Sequence, residues 1–130
     1  MEAIPPASDT KPEAPNSAPR PNYTIAVLCH LLGLTLFLGI PLVNIIAPLV
    51  LWILTRNNDP FVDRCGKEAV NFQLSISLYL VLAGVLIFAF VGVILLPALM
   101  IFHIIVTLVA AFQASEGNAY RYPLTLRFLR

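Results

Sequence analysis

The sequence predicts an all-α integral membrane protein of four helices arranged as two hairpins. Three observations carry that expectation. The residues Ala, Val, Ile, Leu, Met, Phe, Trp, Tyr and Cys make up 58% of the 130 positions and only 12% are charged, against about 25% charged in ordinary soluble domains. From Pro21 to Thr55, and again from Ala69 to Ser115, there is no Asp, Glu, Lys or Arg. The eight basic residues fall in three segments only: Lys11 and Arg20, then Arg56, Arg64 and Lys67, then Arg121, Arg127 and Arg130.

Breakers divide the two charge-free runs. A membrane-crossing helix needs roughly 20 apolar residues. The second run therefore holds two crossings, and the first is too long for one and slightly short for two. Gly39 and Pro41 interrupt the first run, since proline removes an amide donor and clashes with the preceding turn. Helices are expected near 23–38 and 42–56. Gly92 and Pro97 interrupt the second run, with helices near 60–91 and 94–115 and a turn within 91–97. At 1.5 Å per residue a helix of about 15 residues reaches only ~23 Å, against a hydrocarbon core of ~30 Å. The first hairpin is thus thin, tilted or re-entrant.

Basic residues near span ends stay in the cytoplasm. Neither expected turn carries one, so an even number of crossings places all three basic segments, and both termini, on the cytoplasmic side. The expected location is a bacterial cytoplasmic membrane. The alternative has three spans, an outside N-terminus, and residues 23–56 as one long kinked helix.

The segment 1–22 is a different material. Six prolines among small and charged residues cannot bury enough apolar surface to offset chain entropy, which predicts a disordered tail. It does not have the pattern of a signal peptide, because the apolar run begins late and no small-residue cleavage site follows. The membrane domain then covers 23–130. A net charge of +1 excludes a strongly basic nucleic-acid binder. Two cysteines, Cys29 and Cys65, do not make a disulfide framework.

The stretch PFVDRCGKEAVNFQ, residues 60–73, lies between the charge-free runs. Asp59 suits a helix cap and Pro60 the first turn. Asp63 and Lys67 are four apart, as are Arg64 and Glu68, which favours helical ion pairs. Phe61, Cys65, Ala69 and Phe72 fall on the opposite side. Asn71, Gln73, Ser75 and Ser77 follow just below the surface, where polar groups hydrogen-bond to neighbouring helices. The candidate polar cluster is Asp63, Lys67, Glu68, Asn71 and Gln73. Its plain reading is a membrane boundary held by ion pairs. Its sharper reading is a polar pocket between helices. No nucleophile is placed for acid–base catalysis.

His30 and His103 have no ligand spacing with each other or with the cysteines, so neither a metal nor another cofactor is expected. Trp52 reads as an interface anchor. Gly84 and Gly92 suit close helix packing without a GxxxG motif. Gly117-Asn118 suits a helix stop, and residues 118–130 read as an extended interfacial tail, with Tyr120 and Tyr122 in the headgroup belt and arginines reaching lipid headgroups.

At PFVDRCGKEAVNFQLS and the terminal YRYPLTLRF the chain resembles the bacterial membrane family called domain of unknown function 4870, over about residues 23–130. The matching positions are Phe61, Asp63, Gly66, Lys67, Glu68, Asn71 and Gln73. That family is similar, more remotely, to the small channel-type component of the chloroplast inner-envelope protein translocon. The resemblance implies a compact four-helix membrane protein and carries over no catalytic residue. The sequence thus favours a non-enzymatic accessory or conduit-type component, with the lipid bilayer and a membrane-protein partner or second copy as partners. Its competitor is a membrane-embedded enzyme or cofactor-binding protein at the cytoplasmic face.

Overall fold

The computed structural model describes residues 20–40 and 42–130. Of the tail expected to be disordered over 1–22, residues 1–19 lie outside the described residues, as does Pro41, at which a break is expected. Four helices and no strand make up the described chain: α1 Tyr23–Leu31, α2 Val43–Thr55, α3 Pro60–Val85 and α4 Val91–Ser115. α1 runs on as a 3-10 segment, Leu32–Leu38, and α3 as another, Leu86–Ala89.

The 3-10 continuation of α1 changes its reach. Nine α residues and seven 3-10 residues, at ~1.5 and ~2.0 Å each, span ~27 Å. The 13 residues of α2 span only ~20 Å. Pro60–Ala89 and Val91–Ser115 are each long and apolar enough to cross a bilayer.

Local chemistry sets the ends. Asn22 caps α1, its Oδ1 accepting from Ile25 N at 3.2 Å. Asp59 caps α3 through Oδ1, which accepts from Phe61 N at 2.8 Å. Its other oxygen accepts from Asn22 N at 2.6 Å, tying the two helix starts together. The 3-10 continuation of α1 ends at Gly39, with φ 72°, and the chain reverses through Leu42, with φ 67°. Residues 23–56 are therefore two helices and not one long kinked helix. Phe90, with φ 60°, makes the turn between α3 and α4. A Cβ on Gly92 would overlap the Ala83 carbonyl, so the hairpin closes tightly there. Since α4 starts at Val91, Pro97 lies inside the helix and not in the turn.

One end of the bundle gathers the start of α1, the end of α2, the start of α3 and the end of α4. Ala26, Phe61, Val62, Cys65 and Ala114 pack there as a cluster, with the Tyr23 and Phe61 rings edge to face at 5.5 Å. Small residues at these contacts let the helices approach closely. A second cluster of Phe72, Ile76, Val106, Ala110 and Tyr122 lies deeper. The outer surface is apolar too: Phe88 is 92% exposed and Phe90 83%. Ile94, Ile101, Ile105, Leu108 and Phe112 are exposed along α4 at a spacing that lines one helix face. Exposed apolar area on this scale marks a surface that meets lipid or a protein partner.

Candidate functional site

α3 carries the polar residues, and the helical period sorts them onto separate faces. Asp63 and Lys67, four apart, pair at 2.8 Å. Asp63 also accepts from the Trp52 indole at 2.9 Å. Trp52 is buried, with the Arg56 guanidinium 5.0 Å over its ring. It is a packing residue of α2 against α3, and not an anchor at the membrane surface. Gly66 makes that contact possible, because a Cβ there would overlap the indole.

Gln73 faces α1 and α2. Its Oε1 accepts from Asn44 Nδ2 at 3.1 Å, and the same Asn44 nitrogen lies 3.1 Å from Ser77 Oγ. Gly33 leaves room for the Gln73 amide, which a Cβ there would displace. Polar groups at this depth gain about 0.6 kcal/mol each from such partners.

Glu68 and Asn71 face the C-terminal strap, residues 120–130. Glu68 does not pair with Arg64 as the spacing predicts. One of its oxygens accepts from Tyr122 N at 3.3 Å, and the other pairs with Arg127. Asn71 Oδ1 accepts from Phe128 N at 3.1 Å and from Leu129 N at 2.8 Å, and its Nδ2 donates to Leu129 O at 2.9 Å. Ser75 Oγ accepts from Leu126 N at 2.8 Å, and Tyr79 donates to Leu124 O at 2.7 Å.

The two periods match. Residues 79, 75 and 71 step by four along a helix, ~6 Å each. Residues 124, 126 and 128 step by two along an extended chain, ~6.6 Å each. The helix side chains therefore meet successive backbone groups of the strap in register, where they do the work of a neighbouring strand. Pro123 and Leu124 form the turn that sends the strap back along α3. Leu124 takes φ 56° there, a region that favours glycine, and the Tyr79 hydroxyl holds its carbonyl.

Tyr122 plugs the strap into the bundle and does not sit in a headgroup belt. It is 3% exposed, stacked on Phe72 at 4.2 Å, with its hydroxyl 2.8 Å from His30 Nδ1. Burial pushes its phenol well above the ordinary value. His103 lies between aromatic rings, 5.7 Å from Phe37 and 5.5 Å from Phe72. Among the described residues no three His, Cys, Asp or Glu side chains converge as a metal site, and Cys29 and Cys65 are free and buried.

The five residues singled out from the sequence thus divide among three contacts: Asp63 and Lys67 with Trp52, Glu68 and Asn71 with the strap, and Gln73 with Asn44. Sequence reasoning missed Tyr79, Tyr122 and Arg127 as partners in this arrangement. The signal available was the four-residue spacing of Asn71, Ser75 and Tyr79.

These features define a small, all-helical protein with two helices long and apolar enough to cross a membrane and a C-terminal strap latched onto its central helix. Over residues 21–129 the chain matches the MamF/MmsF family, described as the magnetosome magnetite crystal formation protein family, and it belongs to that family. The match overturns the resemblance to domain of unknown function 4870 and to the translocon component. The residues that carried it, Phe61, Asp63, Gly66, Lys67, Glu68, Asn71 and Gln73, are helix and strap contacts, so they report a packing arrangement and not a particular membership. Neither a curated protein nor a solved structure matches the chain.

Proposed function

We propose that the chain is a non-enzymatic accessory of the membrane around a growing magnetite crystal, working through helix contacts with a protein partner or a second copy. Its two hairpins enter from the charged face, with both termini cytoplasmic by the distribution of Lys and Arg.

The observation that carries this reading is the occupancy of the carboxylates in the segment 60–73. Asp63 is engaged by Lys67 and Trp52, and Glu68 by Tyr122 and Arg127. A general acid or base has to reach a substrate proton, and both groups are spent on the fold. The exposed apolar faces of α2 and α4 leave room for helix partners in the bilayer. A conduit built from this chain needs several copies, because the bundle interior is filled by side chains.

The test is complementation in a magnetite-forming cell that lacks the chain, read by electron microscopy of the crystals and by the amount of chain in the membrane. The double variant Asp63→Asn, Glu68→Gln keeps side-chain shape and removes acid–base capacity. Crystals should track the amount of chain that accumulates. Normal accumulation with crystals as defective as in the deleted cell would favour the enzymatic reading. Crystals unaltered by deletion would overturn the role in crystal formation.

A further inference from the structure

At the charged end of the bundle, between the first turns of α3 and the strap, lies a basin of about 510 Å³. Its charged lining is Arg64, Lys67, Glu68, Arg121, Arg127 and Arg130. Five cationic side chains share the lining with one carboxylate side chain, and that carboxylate is already engaged by Arg127 and the Tyr122 amide. Lys67 is paired with Asp63. Arg64, Arg121 and Arg130 make no ion pair among the described residues. Like charges held together repel unless an anion sits among them.

Guanidinium groups are planar forks that match the oxygens of phosphate in pairs. The basin brings three of them together from two distant parts of the chain, Arg64 from α3 and Arg121 and Arg130 from the strap. The strap also leaves Leu124, Leu126 and Phe128 exposed beside its arginines. A cationic basin flanked by exposed apolar side chains, at the boundary of an apolar bundle, fits an amphiphile whose charge is a phosphate.

We propose that this basin binds the phosphate of an anionic membrane phospholipid, with Arg64, Arg121 and Arg130 as its donors and the apolar side of the strap against the acyl chains. Binding closes the open side of the strap, so lipid and strap stabilise one another. The proposal rests on membrane residence and not on any role in crystal formation, so it survives or fails independently of that role.

The experiment uses the full chain in a neutral detergent. Affinity for short-chain phosphatidylglycerol, phosphatidylcholine and inorganic phosphate is measured by native mass spectrometry, together with the shift in thermal unfolding midpoint. A ligand that binds only the folded state raises the midpoint. Phosphatidylglycerol should bind and stabilise the chain, and phosphatidylcholine should do neither. Arg121→Gln with Arg130→Gln should weaken phosphatidylglycerol at least about tenfold, the scale of lost charge-assisted hydrogen bonds. The unliganded midpoint should stay the same, since neither residue latches the strap. Should that variant fail to fold, the wild-type chain still decides through salt, which must weaken phosphatidylglycerol binding. Inorganic phosphate binding as well as phosphatidylglycerol would keep the phosphate site and move its source to a soluble ion. Equal binding of the two lipids, or binding indifferent to salt and to both arginines, would overturn the proposal.

Discussion

Asn71 holds Leu129 by both of its backbone groups: the side-chain amide donates to the Leu129 carbonyl at 2.9 Å and its oxygen accepts from the Leu129 amide at 2.8 Å. Fifty-eight positions separate the two. One asparagine thus acts as a strand partner for the end of the chain, and the asparagine is fully buried.

Replacing it should free the strap. Asn71→Ala removes these bonds and the one from Phe128 N. We expect a loss of about 1–3 kcal/mol and faster trypsin cleavage after Arg121 and Arg127. Asn71→Asp keeps the acceptor and loses the donor, so its strap should be cut at an intermediate rate. Cleavage unchanged in both variants would show that the strap is held elsewhere.

Glu68 and Arg127 should be coupled in a double-mutant cycle. Their side chains are 11% and 35% exposed, between the fully buried and the surface cases. A coupling energy of about 1 kcal/mol is expected, above the usual surface pair and below a buried one. Glu68→Gln should cost more than Arg127→Gln, because it removes the one carboxylate side chain that lines the basin among five cationic ones. Arg64→Gln should leave that coupling unchanged.

Gly66 sets the distance between α2 and α3. Gly66→Ala places a methyl group in the Trp52 ring and should cost about 1–3 kcal/mol as an overpacked contact. The chain has one tryptophan, so its fluorescence reports this contact directly. A red shift in the variant is the expected outcome, and an unchanged spectrum would argue that α2 does not pack there.

Tyr122 should make the fold alkali-sensitive. Its phenol is held well above its ordinary value, chiefly by burial. The unfolded chain releases that proton at about pH 10, while the folded chain retains it. Stability is therefore full below pH 10 and falls as pH rises from there toward the folded value. Tyr122→Phe should remove that part of the alkaline slope and lose the bond to His30 at 2.8 Å. Unfolding midpoints between pH 8 and pH 11, compared for the two chains, would settle the point.

Topology should follow the charges. Reporters after Gln113 and at the N-terminus should both read cytoplasmic, and one at residues 92–96 should read outside. An N-terminus outside would break the two-hairpin reading, while the basin of arginines between α3 and the strap would stay on the cytoplasmic side.

Much of the architecture was legible in the order of residues. Two charge-free runs leave the backbone no partner but itself in lipid, and helices are the local solution. Asp59-Pro60 reads as a helix start because capping involves groups only two residues apart. The polar stretch from Asp63 to Gln73 was equally plain as composition. Its partners were not. Arg64 stands four residues before Glu68 and looked like its counter-ion, yet Arg127 occupies it. Tyr122 and Trp52 looked like surface aromatics, yet both are buried. Resemblance of motif misled in the same way, since motif residues that serve packing recur wherever the packing does.

Hydropathy and capping are short-range properties, so the class of the protein and the existence of its helices follow from neighbours along the chain. Which carboxylate meets which arginine depends on where a turn at Pro123 and Leu124 sends the six residues after it, and that path is chosen by contacts across the bundle. The strap lies in register on α3 because two different rises per residue, ~1.5 and ~3.3 Å, come to nearly equal steps over four and two residues. That coincidence exists only once both segments are folded side by side.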